Sequence, residues 1–251
     1  MTKIIVDGEG GVGKTTMLKK LESGLFDPQT KLTIGIDFFS YYFNFPNGQK
    51  VNAQIWDLVG AERFNFLRPF CYRGASCVVL VVDLSRPNTL EKLEYFIEIA
   101  KQANIKNEQI ILAGSKADLL YERFVDAAYL KSFVEKYNLN EIIETSARDR
   151  NNIEVLFKLA TLIAIFSKGT VNEEEFKIYK QDILEQIQDP IREPCVKIVK
   201  QCWNCKKPIY YYEFCDTNYS TIPEENLSKL WESPFVQFYC CGCYKKQVKG
   251  Y

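Results

Sequence analysis

The chain is 251 residues long, enough for one large domain or for one ordinary domain with a small module. Hydrophobic residues make up 47% and charged residues 25%, which excludes wholesale disorder. Lys plus Arg and Asp plus Glu both number 32, and there is no His, so a broad electrostatic grip on nucleic acid or anionic lipid is not expected, and every His-based chemistry is excluded.

Taken in chain order, residues 3–6 (Lys-Ile-Ile-Val) read as a short buried strand, followed by glycines and by helical spacing over 14–21. Residues 39–45 alternate and are aromatic-rich, Pro46-Asn47-Gly48 is a turn signal, and 51–56 is a second strand, so the pair reads as a hairpin. The continuous apolar run 77–82 suits a strand covered on both faces. Helical period over 90–103, a strand at 109–113, a helix at 126–137, a strand at 142–143 and a helix at 153–166 complete the pattern. Alternating strands and helices predict an α/β domain with a mostly parallel sheet and helices on both faces. The apolar start at Met1 to Gly8 leaves no space for a signal peptide, so a cytoplasmic protein is expected.

Four signals carry chemistry, each at the predicted C-terminal end of a strand, where ligands bind in open α/β sheets. Gly8-Glu9-Gly10-Gly11-Val12-Gly13-Lys14-Thr15 fits a phosphate cradle between strand and helix: backbone N–H groups point inward and the helix N-terminus adds positive potential. Lys14 would reach the β- and γ-phosphates, and the Thr15 hydroxyl would hold Mg²⁺. Asp57-Leu58-Val59-Gly60 offers a carboxylate for Mg²⁺ and a glycine N–H for the γ-phosphate; alone, this pattern is weak and usually marks a turn. Ser115-Lys116-Ala117-Asp118 offers a carboxylate for the guanine edge, whose paired N–H groups adenine lacks, and Thr145-Ser146-Ala147-Arg148 follows the next strand.

With these motifs in this order, residues 1–168 resemble a small GTPase of the Ras superfamily, nearest to the Rab branch. Thr33-Ile34-Gly35-Ile36-Asp37-Phe38 resembles the Rab switch I segment, Gln54-Ile55-Trp56-Asp57 the strand entering switch II, Tyr72-Arg73-Gly74-Ala75 a Rab hallmark, and Leu80-Val81-Val82-Asp83 the next core strand. The resemblance implies GTP or GDP with Mg²⁺. Gly10, Gly11, Val12, Gly13, Lys14, Thr15 and Thr16 would hold phosphate; Thr15, Thr33 and Asp57 would hold Mg²⁺. Lys14, Thr33 and Gly60 would act in hydrolysis. Ser115, Lys116, Asp118, Ser146, Ala147 and Arg148 would contact the base, and Phe26 would flank it, its alternative being an ordinary core aromatic.

Three positions depart from the pattern. Ala61 stands where the family carries the Gln that orients the attacking water, so slow unassisted hydrolysis is expected. Ser115 replaces Asn, predicting a modest loss of nucleotide affinity. Cys71 replaces a Tyr of the effector-facing aromatic triad, whose other members would be Phe38 and Trp56.

The last third differs in kind. Of nine cysteines, Cys71 and Cys77 lie within residues 1–168; Cys195, Cys202, Cys205, Cys215, Cys240, Cys241 and Cys243 lie beyond. Cys202-x-x-Cys205 and Cys240-x-x-Cys243 predict a Zn²⁺ site of four thiolates in a small β module over residues 195–251, against the alternatives of reduced thiols or an iron–sulfur cluster. Residues 169–194 read as a helical linker, with Phe176, Tyr179, Ile183 and Ile187 on one face, for packing or for a partner. Cys240-Cys241 precedes ten further residues, so no prenylation box and no lipid anchor is evident. The leading reading is a monomeric GTP-binding switch, met by effectors and regulators through the switch segments and the zinc module. Its rivals are a hydrolysis-deficient GTP-bound scaffold, a zinc-ribbon nucleic-acid binder regulated by nucleotide, and a P-loop ATPase or kinase. The nucleic-acid reading draws little support from residues 169–251, which carry 11 basic against 12 acidic residues.

Overall fold

The computed structural model describes residues 2–26, 35–45, 48–60, 62–119, 123–125, 127–188, 200–204, 206 and 208–209. Two compact units emerge, one of residues 1–119 with 123–190, the other of 120–122 with 191–251.

The first unit is built on a six-stranded sheet in the order β2-β3-β1-β4-β5-β6. The strands are β1 (Thr2–Gly8), β2 (Ile36–Asn44), β3 (Lys50–Leu58), β4 (Cys77–Asp83), β5 (Ile110–Ser115) and β6 (Glu141–Glu144). Only the β2–β3 pair is antiparallel; β1 pairs in parallel with β3 and β4, β4 with β5, and β5 with β6. Strand β2 begins earlier than the aromatic alternation suggests, because Ile36, Asp37 and Phe38 pair with Leu58, Asp57 and Trp56 along the β3 ladder.

The central strand β4 is buried along its whole length, and its side chains divide by parity. Cys77, Val79 and Val81 enter the core on one face, with Leu18 of α1 (Lys14–Ser23) and Leu156 and Leu159 of α5 (Ile153–Phe166). Val78, Leu80 and Val82 enter the other, with α2 (Arg68–Tyr72), α3 (Leu93–Gln102) and α4 (Ala127–Tyr137). Helical period over 90–103 resolves into a 3₁₀ turn, Pro87–Leu90, and then α3, since Pro87 sits in the first turn of the preceding segment.

Helix α5 is apolar nearly all round, with eleven buried residues. Such a helix needs cover on its outer side. Helix α6 (Glu173–Leu184) supplies it within the same unit. Asn172 and Glu175 form a reciprocal capping box at its start. Phe176 stacks on Phe166 at 4.3 Å, Tyr179 meets Phe45 at 5.7 Å, and Ile183 is buried. Beyond the helix, Asn152 and Gln188 exchange two hydrogen bonds of 2.9 Å.

In the second unit the described residues form a short antiparallel hairpin of β7 (Lys200–Gln201) and β8 (Pro208–Ile209). Cys202 is buried at its turn, and the Lys206 N–H closes onto the Cys202 carbonyl at 3.0 Å. Among the described residues no helix is long and apolar enough to cross a membrane.

Candidate functional site

The C-terminal ends of β1, β3, β5 and β6 meet along one sheet edge, because these strands run in parallel. The loop after β1 carries Gly10 and Gly11 exposed at its lip and buries Val12 beneath. Gly8 has φ 147, and a Cβ there would lie 2.3 Å from the Val81 carbonyl oxygen, so only glycine fits. Gly13 at φ 97 opens α1, with Thr16 half-buried in the first turn.

Lys14 is almost fully buried and folds back over the loop, donating to the Gly8 and Glu9 carbonyls at 2.8 and 2.7 Å. Burial pushes its pKa below the ordinary lysine value, while Asp7 and Asp57 pull it back up. The Thr15 hydroxyl donates to Asp57 Oδ2 at 2.5 Å. Asp57 Oδ1 is buried and has no hydrogen-bond partner among the described residues. Burial pushes the Asp57 carboxyl up to about 6, against the lowering effect of Thr15 and Lys14. A buried carboxylate oxygen without a donor, beside a threonine hydroxyl, is a donor set that fits a hard cation such as Mg²⁺.

Gly60 closes over this cluster. A Cβ on it would lie 2.4 Å from Gly10 N, so the loop after β3 rests directly on the cradle. At the other end, the Ser146 hydroxyl donates to Asp118 Oδ1 at 2.7 Å and accepts from the Asp149 N–H at 3.0 Å. Ala147 is half-buried and Arg148 exposed. Lys116, in the left-handed region at φ 61, pairs with the buried Asp83 at 2.7 Å. Burial raises the Asp83 pKa, but hydrogen bonds from Lys116 and Ser85 outweigh it and hold the carboxyl below its ordinary value. The Ser115 hydroxyl donates to the Val12 carbonyl at 2.5 Å, with the Val82 carbonyl 2.9 Å away, so it ties the phosphate loop to β5.

Phe26, after α1, is 40% exposed and therefore not a core aromatic. Phe38 and Trp56 meet edge to face at 4.9 Å, whereas Cys71 is buried. Thr33, Ala61, Cys205, Cys240 and Cys243 lie outside the described residues. Among the described residues no cluster of three or more cysteines and carboxylates could hold a metal ion.

A phosphate-type loop, a threonine–aspartate pair and a second acidic side chain thus lie at the C-terminal ends of the parallel strands. The model of the Ras family matches residues 3–165. The chain belongs to the Ras family. Ras-related protein Rab-19 of Homo sapiens is 36% identical over 157 residues, 62% of this chain and 72% of the relative. Ras-related protein Rab-11A of Dictyostelium discoideum is 36% identical over 156 residues, with the same two shares, 62% and 72%. Ras-related protein YPTC6 of Chlamydomonas reinhardtii is 33% identical over 175 residues, 69% of this chain and 80% of the relative. The first unit is thus a small GTPase domain of Rab type, from a family of GTP-binding switches that bind GTP or GDP with Mg²⁺ and meet effector and regulator proteins.

Sequence reasoning missed two clusters that this small GTPase places at the site. Asp7, Arg68 and Tyr72 form a buried polar network under the cradle. Asp83 gathers both Lys116 and Arg86, and Arg86 Nη2 donates to the Gly10 carbonyl at 3.2 Å. An acid closing each apolar run, Asp7 in β1 and Asp83 in β4, was the visible clue.

Proposed function

We propose that this small GTPase is a slow guanine-nucleotide switch carrying a zinc-stabilised C-terminal module. Gly10, Gly11, Val12, Gly13, Lys14, Thr15 and Thr16 hold the phosphates. Asp118 and Ser146, with Ser115, Lys116, Ala147 and Arg148 around them and Phe26 at the rim, select guanine. Thr15, Asp57 and Thr33 hold Mg²⁺, which supplies positive charge between the β- and γ-phosphates. Lys14 and the Gly60 N–H stabilise charge on the γ-phosphate. The observation that carries this reading is the buried, unpartnered Asp57 Oδ1 beside Thr15 and Lys14 at the mouth of a glycine loop.

Hydrolysis is slow because Ala61 cannot orient water. The test is single-turnover phosphate release with GTP and Mg²⁺. The wild type should be slow, and Ala61→Gln should raise the rate roughly tenfold or more. Equal rates for the two would overturn this part. No cleavage under any condition, with or without activating proteins, would favour the GTP-bound scaffold, and absence of binding heat with either GDP or GTP would sink the switch and the scaffold alike.

Zinc binding rests on the two Cys-x-x-Cys pairs, Cys202 with Cys205 and Cys240 with Cys243, and is supported by the tight, backbone-closed turn that starts at the buried Cys202. A segment of this size gains from metal what its small core cannot supply. Metal analysis of the purified full chain should find one zinc per chain.

A further inference from the structure

Alternation along β1 puts Asp7 on the same face as Ile5, fully buried against α2 and α3. A carboxylate there is tolerated only with partners. Arg68 grips it with two arms, Nε to Oδ2 at 2.8 Å and Nη2 to Oδ1 at 3.2 Å. The Tyr72 hydroxyl donates to Oδ2 at 3.0 Å, and the Gly8 N–H to Oδ1 at 2.8 Å. Arg68 is itself buried, its guanidinium 5.1 Å from the Phe96 ring. Apolar residues of similar volume would fill this space as well or better, so the ion pair is poor evidence of a role in stability.

Its distinctive contact lies elsewhere. Arg68 Nη2 also donates to the Val59 carbonyl at 3.1 Å. The Val59 C=O and the Gly60 N–H belong to one planar peptide, and no peptide bond among the described residues is cis. In a trans peptide these two groups point in opposite directions. Fixing the carbonyl from beneath therefore aims the Gly60 N–H away from Arg68, on a glycine already pressed against Gly10 of the cradle.

We propose that Arg68, locked by Asp7, is a positioning residue that presents the Gly60 N–H to the γ-phosphate and so sets the preference for GTP over GDP. This rests on the guanine-nucleotide reading above. GDP has no γ-phosphate, so its affinity does not depend on that peptide's orientation.

The test measures affinities for GDP and for a non-hydrolysable GTP analogue, with Mg²⁺, in the full chain. The paired change Asp7→Val with Arg68→Met removes both charges together. It should weaken the triphosphate analogue at least about tenfold more than GDP, the weight of one charge-assisted hydrogen bond. Should that variant fail to fold, Arg68→Lys keeps a counter-charge for Asp7 without the two-armed geometry and should lower the triphosphate preference several-fold. Tyr72→Phe, which leaves the Arg68–Val59 contact in place, should lower the melting midpoint without moving the ratio. An unchanged ratio in whichever Arg68 variant folds, or equal weakening of both nucleotides, overturns the proposal. Wild-type protein that binds neither nucleotide would instead remove the reading beneath it.

Discussion

Asp57 shows how one carboxyl can be both expensive and useful. Its pKa in the unfolded chain is near 3.8 and in the folded chain about 6. Between those values the folded state binds the proton more tightly, so stability falls as pH rises through this window. Roughly two units correspond to ~3 kcal/mol. The stability difference between wild type and Asp57→Asn should therefore widen by about that amount from pH 4 to pH 7, read from urea midpoints at each pH. Ligand-free Asp57→Asn should be the more stable protein at pH 7, and nucleotide affinity in Mg²⁺ buffer should weaken in the wild type below about pH 6 as the carboxyl protonates. Ser115 carries a second prediction at this scale. Its hydroxyl spans a sequence separation of 103 residues to reach Val12. Ser115→Ala leaves the buried Val12 carbonyl without that donor, so nucleotide affinity should drop roughly tenfold, the usual weight of such a bond. The sequence showed a short side chain where the family has a longer one. It did not show that the hydroxyl is turned toward the phosphate loop, because that depends on the strand order, which sets β5 one strand beyond β4 from β1.

At the scale of elements, α5 and α6 are one packing unit. The contact is apolar, with the Phe166–Phe176 stack at one end and the Asn152–Gln188 exchange beyond the other. Ile183 is buried in it, so Ile183→Ala should cost about 2–4 kcal/mol in denaturant unfolding. Ending the chain at residue 168 would strip α6 from the outer side of α5. An apolar helix face of that extent exposed to water should aggregate, visible by light scattering at micromolar concentration. The periodicity of α6 was legible in Phe176, Tyr179, Ile183 and Ile187. Its destination was not, since an apolar stripe records that something covers it and not what does.

For the molecule as a whole, the boundary between the two units marks a change in the source of stability. The first is held by a two-faced core around a fully buried central strand. The second, on the reading proposed above, leans on metal. A zinc-selective chelator, with Mg²⁺ kept in excess, should then abolish a low-temperature unfolding transition belonging to the C-terminal residues while leaving the GTPase transition and GDP affinity in place. A single transition, unmoved by chelation, would count against zinc. Sequence alone determined the alternation of strands and helices, the glycine loop with Lys14 and Thr15, and the acidic motifs at Asp57 and Asp118. Local chemistry suffices for these, because backbone amides in a tight turn and a period of 2 or 3.6 are properties of neighbouring residues. Tertiary structure alone decided that Asp7 meets Arg68, 61 residues away, that Arg86 reaches Gly10, and that the peptide before Gly60 has one direction to face. Those contacts follow from strand order and register, which set distant side chains opposite one another only once the sheet is closed.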